Sequence, residues 1–182
     1  LIVALSKQSY CAQSIFDLAR TGSAKEMQKY LKKHPEHINL ISEHGASPFL
    51  LAAYRGNNEV AQLLLDNGAD FNYCYAEGSV IYALIYKNNL VLLEEILKRG
   101  ANPNTPCQYE LLGYPLHFAL SLQRTDAVLL LKKYMINLDI VDPQGRTIMQ
   151  LLQLYNDPKL NEILQNEKYI FNSFINNPCN CC

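Results

Sequence analysis

His34 and His37 flank Pro35, and two imidazoles that close in sequence could share a metal ion. Zinc asks for four ligands, or for three and a water, and no further ligands gather around this pair in the sequence. The expectation is therefore a solvated loop, with no metal ligand assigned. Glu94, Glu95 and Asp17 show no spacing that reads as a general acid and its base. No glycine-rich phosphate loop and no Gly-x-Ser-x-Gly nucleophile turn is present. The expectation is a chain without catalytic residues or cofactor: not an enzyme.

Composition agrees with that direction. The 182 residues suffice for one packed domain or a short repeat array, and 49% of them are hydrophobic, enough to bury a core. Sixteen Lys and Arg stand against seventeen Asp and Glu, for a formal net charge of -1. A chain so balanced lacks the basic footprint of nucleic-acid binding. No apolar run approaches the roughly 20 residues of a membrane span. Leu1 to Leu5 are purely apolar, and small residues are mixed into Ser9-Tyr10-Cys11-Ala12-Gln13. This resembles the end of a secretory signal with cleavage near Ala12 or Cys11; an ordinary N-terminal helix or strand is the other reading. Residues 1–13 are set apart as that remnant or as a disordered N-terminus. Export, periplasmic or secreted, is the expectation over a cytoplasmic location. A lipoprotein role for Cys11 is disfavoured by Gln8, which stands where an apolar residue is wanted.

Self-similarity organises the remainder. Gly45-Ala46-Ser47-Pro48-Phe49-Leu50-Leu51-Ala52-Ala53 opens one unit, which closes with Leu63-Leu64-Leu65-Asp66-Asn67-Gly68-Ala69-Asp70-Phe71-Asn72. Similar openings follow Ser47 at Ser79, Tyr114 and Thr147, with successive spacings of 32, 35 and 33 residues. Ser47 and Thr147 have the hydroxyl that caps a helix. Pro48 and Pro115 suit a first helical turn, where a missing N–H costs nothing. Gly68 and Gly100 suit the left-handed residue that ends the second helix. Asp70-Phe71-Asn72 and Asn102-Pro103-Asn104 then start turns into the following unit.

The period, the Ser47-Pro48 and Tyr114-Pro115-Leu116-His117 openings and the Gly68-Ala69-Asp70 close resemble the ankyrin repeat. The resemblance implies an all-α solenoid of about five stacked helix–turn–helix units with β-turn finger loops. They run 14–41, 42–74, 75–107, 108–141 and 142–165, followed by a Cys-rich tail over 166–182. The first and last units are atypical, as the ends of a solenoid must be. Glu95 stands where the preceding unit has Leu63, so it is expected to be solvated or paired. Lys132 and Met135 replace Leu65 and Gly68, from which a displaced second helix is expected in the fourth unit. Thr105 to Gly113 forms a longer loop than its counterparts.

The family resemblance also implies a concave binding face made of turn tips and the exposed ends of first helices. In this chain those positions are Tyr54-Arg55, Tyr86-Lys87, Ser121-Leu122 and Leu154-Tyr155, with Glu43, His44, Tyr73, Tyr75, Glu77, Tyr109 and Arg146 from the turns. Tyrosine and arginine supply large contact area and recur at binding hot spots. Tyr82, in the slot of the motif's histidine, reads instead as an amphipathic filler at the core edge. His117 is implied to make a structural hydrogen bond to its turn.

Cys74 and Cys107 are 33 residues apart, one repeat, which places them in neighbouring turns. Equivalent positions of stacked repeats lie beyond the roughly 7 Å that a disulfide spans; the long loop before Gly113 could close the gap in an oxidising compartment. Cys179, Cys181 and Cys182 end the chain, read as an exposed terminus or as a soft-metal or redox element. The expected function is a non-enzymatic, monomeric module that binds another protein. The alternative is an exported bacterial envelope or stress-protective accessory protein with a redox or metal-binding tail.

Overall fold

Among the described residues the chain forms four helix pairs and a further helix. A computed structural model of the chain describes residues 15–75, 78–104, 113–134, 138–155, 158 and 160. The first unit pairs α1 (residues 15–21) with α2 (Ala24–Leu31), followed by a 3₁₀ turn at Pro35–His37. Three regular pairs follow: α3 (Pro48–Arg55) with α4 (Asn58–Asp66), α5 (Val80–Lys87) with α6 (Leu90–Lys98), and α7 (Pro115–Ser121) with α8 (Thr125–Lys133). Then comes α9 (Ile148–Tyr155), and Pro158 and Leu160 are again helical. A short antiparallel ribbon, β1 (Cys74–Tyr75) with β2 (Gly78–Ser79), pairs Cys74 with Ser79 and Tyr75 with Gly78.

Local chemistry sets the helix ends. Ser47 Oγ accepts from the Leu50 N–H (3.2 Å), with Pro48 opening α3. Thr147 Oγ1 accepts from the Gln150 N–H while Gln150 Oε1 accepts from the Thr147 N–H, a reciprocal box. Ser23 and Glu26 form the same box at α2. Gly68 and Gly100 lie at φ +89° and +98°, the left-handed conformation expected of them. Asp70 and Asn102 each accept from the backbone N–H two residues on, at 2.8 and 2.9 Å, which folds the turn.

One core runs the length of the stack. First helices pack on first helices, α3 on α5, α5 on α7 and α7 on α9, while α4, α6 and α8 each pack on their own first helix. Phe49, Leu64, Leu93, Ile96, Leu116, Leu131 and Leu151 are among the largest fully buried side chains. Truncating such a leucine typically costs 2–5 kcal/mol, ~3 kcal/mol in the middle of that range. Ala52 and Ala53 are wholly buried, letting α3 and α5 approach. Leu63 is half-buried, so its replacement by Glu95 removes little, and Glu95 Oε1 accepts from Arg99 Nε at 2.9 Å.

The fourth unit corrects one expectation. Its second helix is not displaced: α8 starts ten residues after α7, as α4 does after α3, and all three second helices from α4 to α8 have nine residues. Leu131 is buried in the slot of Leu64 and Ile96. Lys132 is tolerated because its position is only half-buried, where a lysine stem can cover apolar surface. Met135 lies outside the described residues.

A ladder of polar side chains ties each second helix to the preceding unit. Asn57 Nδ2 donates to the Gly22 carbonyl (2.8 Å), Asn89 Nδ2 to Asn58 Oδ1 (2.8 Å) and Arg124 Nη2 to the Tyr86 carbonyl (3.3 Å). Asn57, Asn89 and Arg124 each sit just before a second helix. Arg99 adds a further link, donating to Asp66 Oδ1 (2.6 Å) and to the Leu65 carbonyl (3.1 Å).

Candidate functional site

Tyr54 and Tyr86 hold equivalent places near the ends of α3 and α5. The small residues between these helices bring the two rings together: centroids 5.8 Å apart, planes within 15°. Lys87 Nζ lies 5.3 Å from the Tyr54 centroid and 5.5 Å from that of Tyr86, within reach of the negative ring faces. Both tyrosines remain 46% exposed, so an aromatic pair with a cation at its edge stands open to solvent.

Beside the pair runs a groove of about 650 Å³. Leu50, Leu51, Ala83, Phe118 and Leu122 give it apolar walls, and Arg20, His44 and Arg55 give it a polar rim. Of the residues expected at a binding face, Tyr54, Arg55, Tyr86, His44 and Leu122 line this one groove. Lys87 joins through its contacts with both rings. Glu43 is exposed in the turn beside His44, closed by the Ser42 N–H donating to the Ala46 carbonyl (3.0 Å). Ser121 is exposed with its hydroxyl donating to the Phe118 carbonyl.

The rest of the expected set is placed differently. Arg146 donates through Nε to Asp142 Oδ2 (2.6 Å) and through Nη2 to Gln144 Oε1 (3.0 Å), bracing its own turn. Tyr155 is half-buried against the core, and Leu154 is exposed. Tyr75 is described through its backbone in β1; Glu77 and Tyr109 lie outside the described residues. The lining residues outside the expected set include Arg20, Leu51 and Phe118. A signal for Leu51 existed, since it lies three residues before Tyr54 and residues so spaced share a helix face. Phe118 holds the same relation to Ser121. Arg20 comes from the first unit, and only the stacking of units brings it to the groove.

The carboxylates that could have done acid–base work are engaged with cations. Glu94 accepts from Lys133 Nζ at 2.7 Å and faces Lys98 at 3.5 Å; the Lys133 hydrogen bond holds its carboxyl below the usual value. Glu95 pairs with Arg99, and Asp17 with Arg20. Arg99 likewise lowers the Asp66 carboxyl. His117 is buried, and its Nδ1 accepts from the Tyr114 N–H at 3.3 Å, the structural bond that the resemblance implied. Burial pushes its pKa below the ordinary value of 6.5, with the Asp142 carboxylate pulling the other way. Tyr82 is buried as well, its hydroxyl donating to the Gly113 carbonyl.

Two further features bear on the sequence reading. Cys74 is disulfide-bonded; Cys107, Cys179, Cys181 and Cys182 lie outside the described residues, as does the apolar N-terminal run. His34 and His37 are brought together with Glu36 between them, a third donor that the sequence reading passed over. Among the described residues, no helix is long and apolar enough to cross a membrane.

Comparisons with known proteins point one way. A family model of the ankyrin repeat matches residues 44–75. The chain is 27% identical over 122 residues to ankyrin repeat and SAM domain-containing protein 6 of Rattus norvegicus, and 28% identical over 93 residues to that of Mus musculus. These alignments cover 64% and 48% of this chain, yet the chain spans only 13% and 10% of the two relatives. It is 32% identical over 141 residues to cyclin-dependent kinase inhibitor 2A of Monodelphis domestica, covering 78% of this chain and 81% of that protein. These relatives are rodent and marsupial, and they lend no support to the expected bacterial source.

Proposed function

Given that the chain belongs to the ankyrin-repeat family, whose repeats are generally protein-interaction modules, we propose that it is a non-enzymatic, monomeric module binding a folded protein along the groove of its first helices. The Tyr54–Tyr86 pair, with Lys87 at its edge, carries this reading. Aromatic rings held by packing offer contact area at little entropic cost, and an adjoining apolar groove offers a partner side chain a place to be desolvated. Arg20 and Arg55 on the rim and Lys87 beside it favour a partner with acidic groups around an apolar anchor. The similarity to a protein named as a kinase inhibitor, over most of both chains, supports a protein rather than a small molecule as the ligand.

The experiment compares the native chain with Tyr54→Ala/Tyr86→Ala as baits in extracts of the source organism. Captured proteins are identified by mass spectrometry, and the affinity of each purified candidate is then measured for both baits. A partner that binds the native chain and loses tenfold or more in affinity for the variant supports the groove. Equal affinity for both baits places the binding face elsewhere.

A second reading concerns compartment, and Cys74 favours it. Structural disulfides persist in oxidising surroundings and are rare in the cytosol, so a disulfide at Cys74 supports export of the protein. An accessory role with redox or metal chemistry in the Cys-rich tail is tested by thiol titration and metal analysis of the purified protein with and without residues 179–182. A metal-free protein with inert tail thiols removes it.

A further inference from the structure

Three ligand-type atoms converge at the turn that follows α2 in the first unit. His34 Nδ1 lies 3.6 Å and His37 Nε2 lies 3.4 Å from the same oxygen, Glu36 Oε1. The ligand atoms of the three residues all fall within 4.8 Å of one another. Both separations exceed the 2.7–3.2 Å, ~2.9 Å typical, of a good N–H···O hydrogen bond. They match a different geometry. Zinc–nitrogen and zinc–oxygen bonds of roughly 2.1 Å at the tetrahedral angle set neighbouring ligand atoms about 3.4 Å apart. These two edges have about the length of a tetrahedral site, and the third is no longer than 4.8 Å.

The surroundings hold this arrangement in place. Pro35 starts the 3₁₀ turn that carries Glu36 and His37, with His34 immediately before it, and the His34 N–H donates to the Tyr30 carbonyl at 3.0 Å, tying the turn to α2. The two imidazole planes are stacked within 7° at a centroid distance of 5.0 Å. Tyr30 Oη lies 2.8 Å from His37 Nδ1. With Nδ1–H donating to that oxygen, the Nε2 lone pair is directed away from Tyr30, toward Glu36. An outer partner of this kind fixes the tautomer and orientation of a metal-ligating histidine.

We propose that His34, Glu36 and His37 form a binding site for a zinc-class divalent ion, with Tyr30 positioning His37. Two neutral imidazoles and a carboxylate are the donor set that zinc takes in open sites, leaving a fourth position for water or for a donor from another molecule. The set is contiguous in sequence and sits on one turn, so binding requires no rearrangement of the repeats. Protons compete with the ion for the imidazole lone pairs, and binding weakens in acid.

The test is calorimetric titration of zinc chloride into the full chain carrying Cys179→Ser, Cys181→Ser and Cys182→Ser, which removes the tail thiols as competing ligands. One equivalent bound by this chain, and a loss of affinity of tenfold or more on adding His34→Ala and His37→Ala, is the expected result. Tyr30→Phe, which keeps the three ligands, is expected to weaken binding by roughly tenfold or more, in line with other outer-shell changes. Circular dichroism checks that each variant keeps its helices. Failure of the thiol-free chain to take up zinc, or unchanged uptake by the folded double-histidine variant, overturns the site.

Discussion

Asn57 sits at the start of α4 yet leaves its own helix uncapped: its side-chain amide donates to the Gly22 carbonyl at 2.8 Å, across the junction between the first and second units. It reaches the Ala19 carbonyl as well, at 3.4 Å. Both acceptors belong to the turn and helix end of the first unit. Asn57→Ala leaves a half-buried carbonyl without its donor, at a cost of about 1–2 kcal/mol. In urea the midpoint should fall while the slope stays unchanged. An unchanged midpoint would show that the stacking of apolar faces alone holds this junction.

The exposed aromatic pair should matter for binding far more than for folding. Tyr54→Ala removes a ring that is 46% exposed, and the expected change in stability is below about 1 kcal/mol. The expected loss of partner affinity is tenfold or more, which corresponds to about 1.4 kcal/mol. Thermal melts and binding isotherms on the same preparation separate the two effects.

Acid should unfold the last units through two groups in turn. His117 is neutral when buried and its folded pKa lies below 6.5, so its contribution is complete above that value. Below 6.5 the unfolded chain takes up a proton that the folded chain resists, and stability declines until the folded pKa is reached. Asp142 adds a second step. Burial pushes its carboxyl up, but the Arg146 N–H, the Arg146 guanidinium and the Gln144 N–H together hold it below 3.8. Its stabilisation is present above that value and is lost as pH falls through the folded pKa. Urea midpoints measured from pH 7.5 to 5 should drop for the native chain and stay flatter for His117→Gln.

Gly113 separates backbone strain from crowding. It lies at φ +61°, and a Cβ there would stand 3.0 Å from both His117 Nδ1 and Pro143 Cδ. Gly68 is also left-handed, at φ +89°, but a Cβ there meets nothing within 4 Å. Gly68→Ala should therefore carry only the backbone term of roughly 1 kcal/mol. Gly113→Ala should cost more, about 2–3 kcal/mol, with His117 displaced. Equal costs at the two positions would remove the crowding argument.

Peptide mapping of unreduced, alkylated protein tests the disulfide. Cys74 should be recovered in a cross-linked peptide; Cys107 is the partner if the long loop before Gly113 closes the gap that the repeat spacing leaves. Recovery of Cys74 as an alkylated free thiol would end the case for an oxidising compartment.

Much of this fold was legible because its signals are local. Ser47 caps its helix with its own hydroxyl, Pro48 needs no N–H, and Gly68 takes a conformation that other residues resist. Repetition of such signals at the spacings of Pro48, Val80, Pro115 and Ile148 located the units. The fourth unit was misjudged at Lys132 because an apolar pattern assigns a residue to one side of the core boundary. Lys132 is half-buried, and a lysine stem can cover apolar surface without moving the helix.

The candidate sites were legible only in part. The equivalence of Tyr54 and Tyr86 follows from the period; that their rings stack, with Lys87 over both, follows from how closely the buried alanines let α3 approach α5. Asn57 and Arg124 make no side-chain cap on their own helices, and Asn89, which caps α6 through Oδ1, gives no local sign of its second bond; each finds an acceptor in the preceding unit. Glu36 was passed over between its histidines because sequence adjacency says nothing of direction, and the 3₁₀ turn is what aims the three donors together.

By itself, then, the sequence determined the helix starts at Ser47 and Thr147, the ends at Gly68 and Gly100 and the stacking of the units, because capping, chain reversal and apolar periodicity act within a few residues. Only the tertiary structure decided which side chains meet. Distances between units are set by the volumes buried in the shared core, and no residue encodes that distance alone.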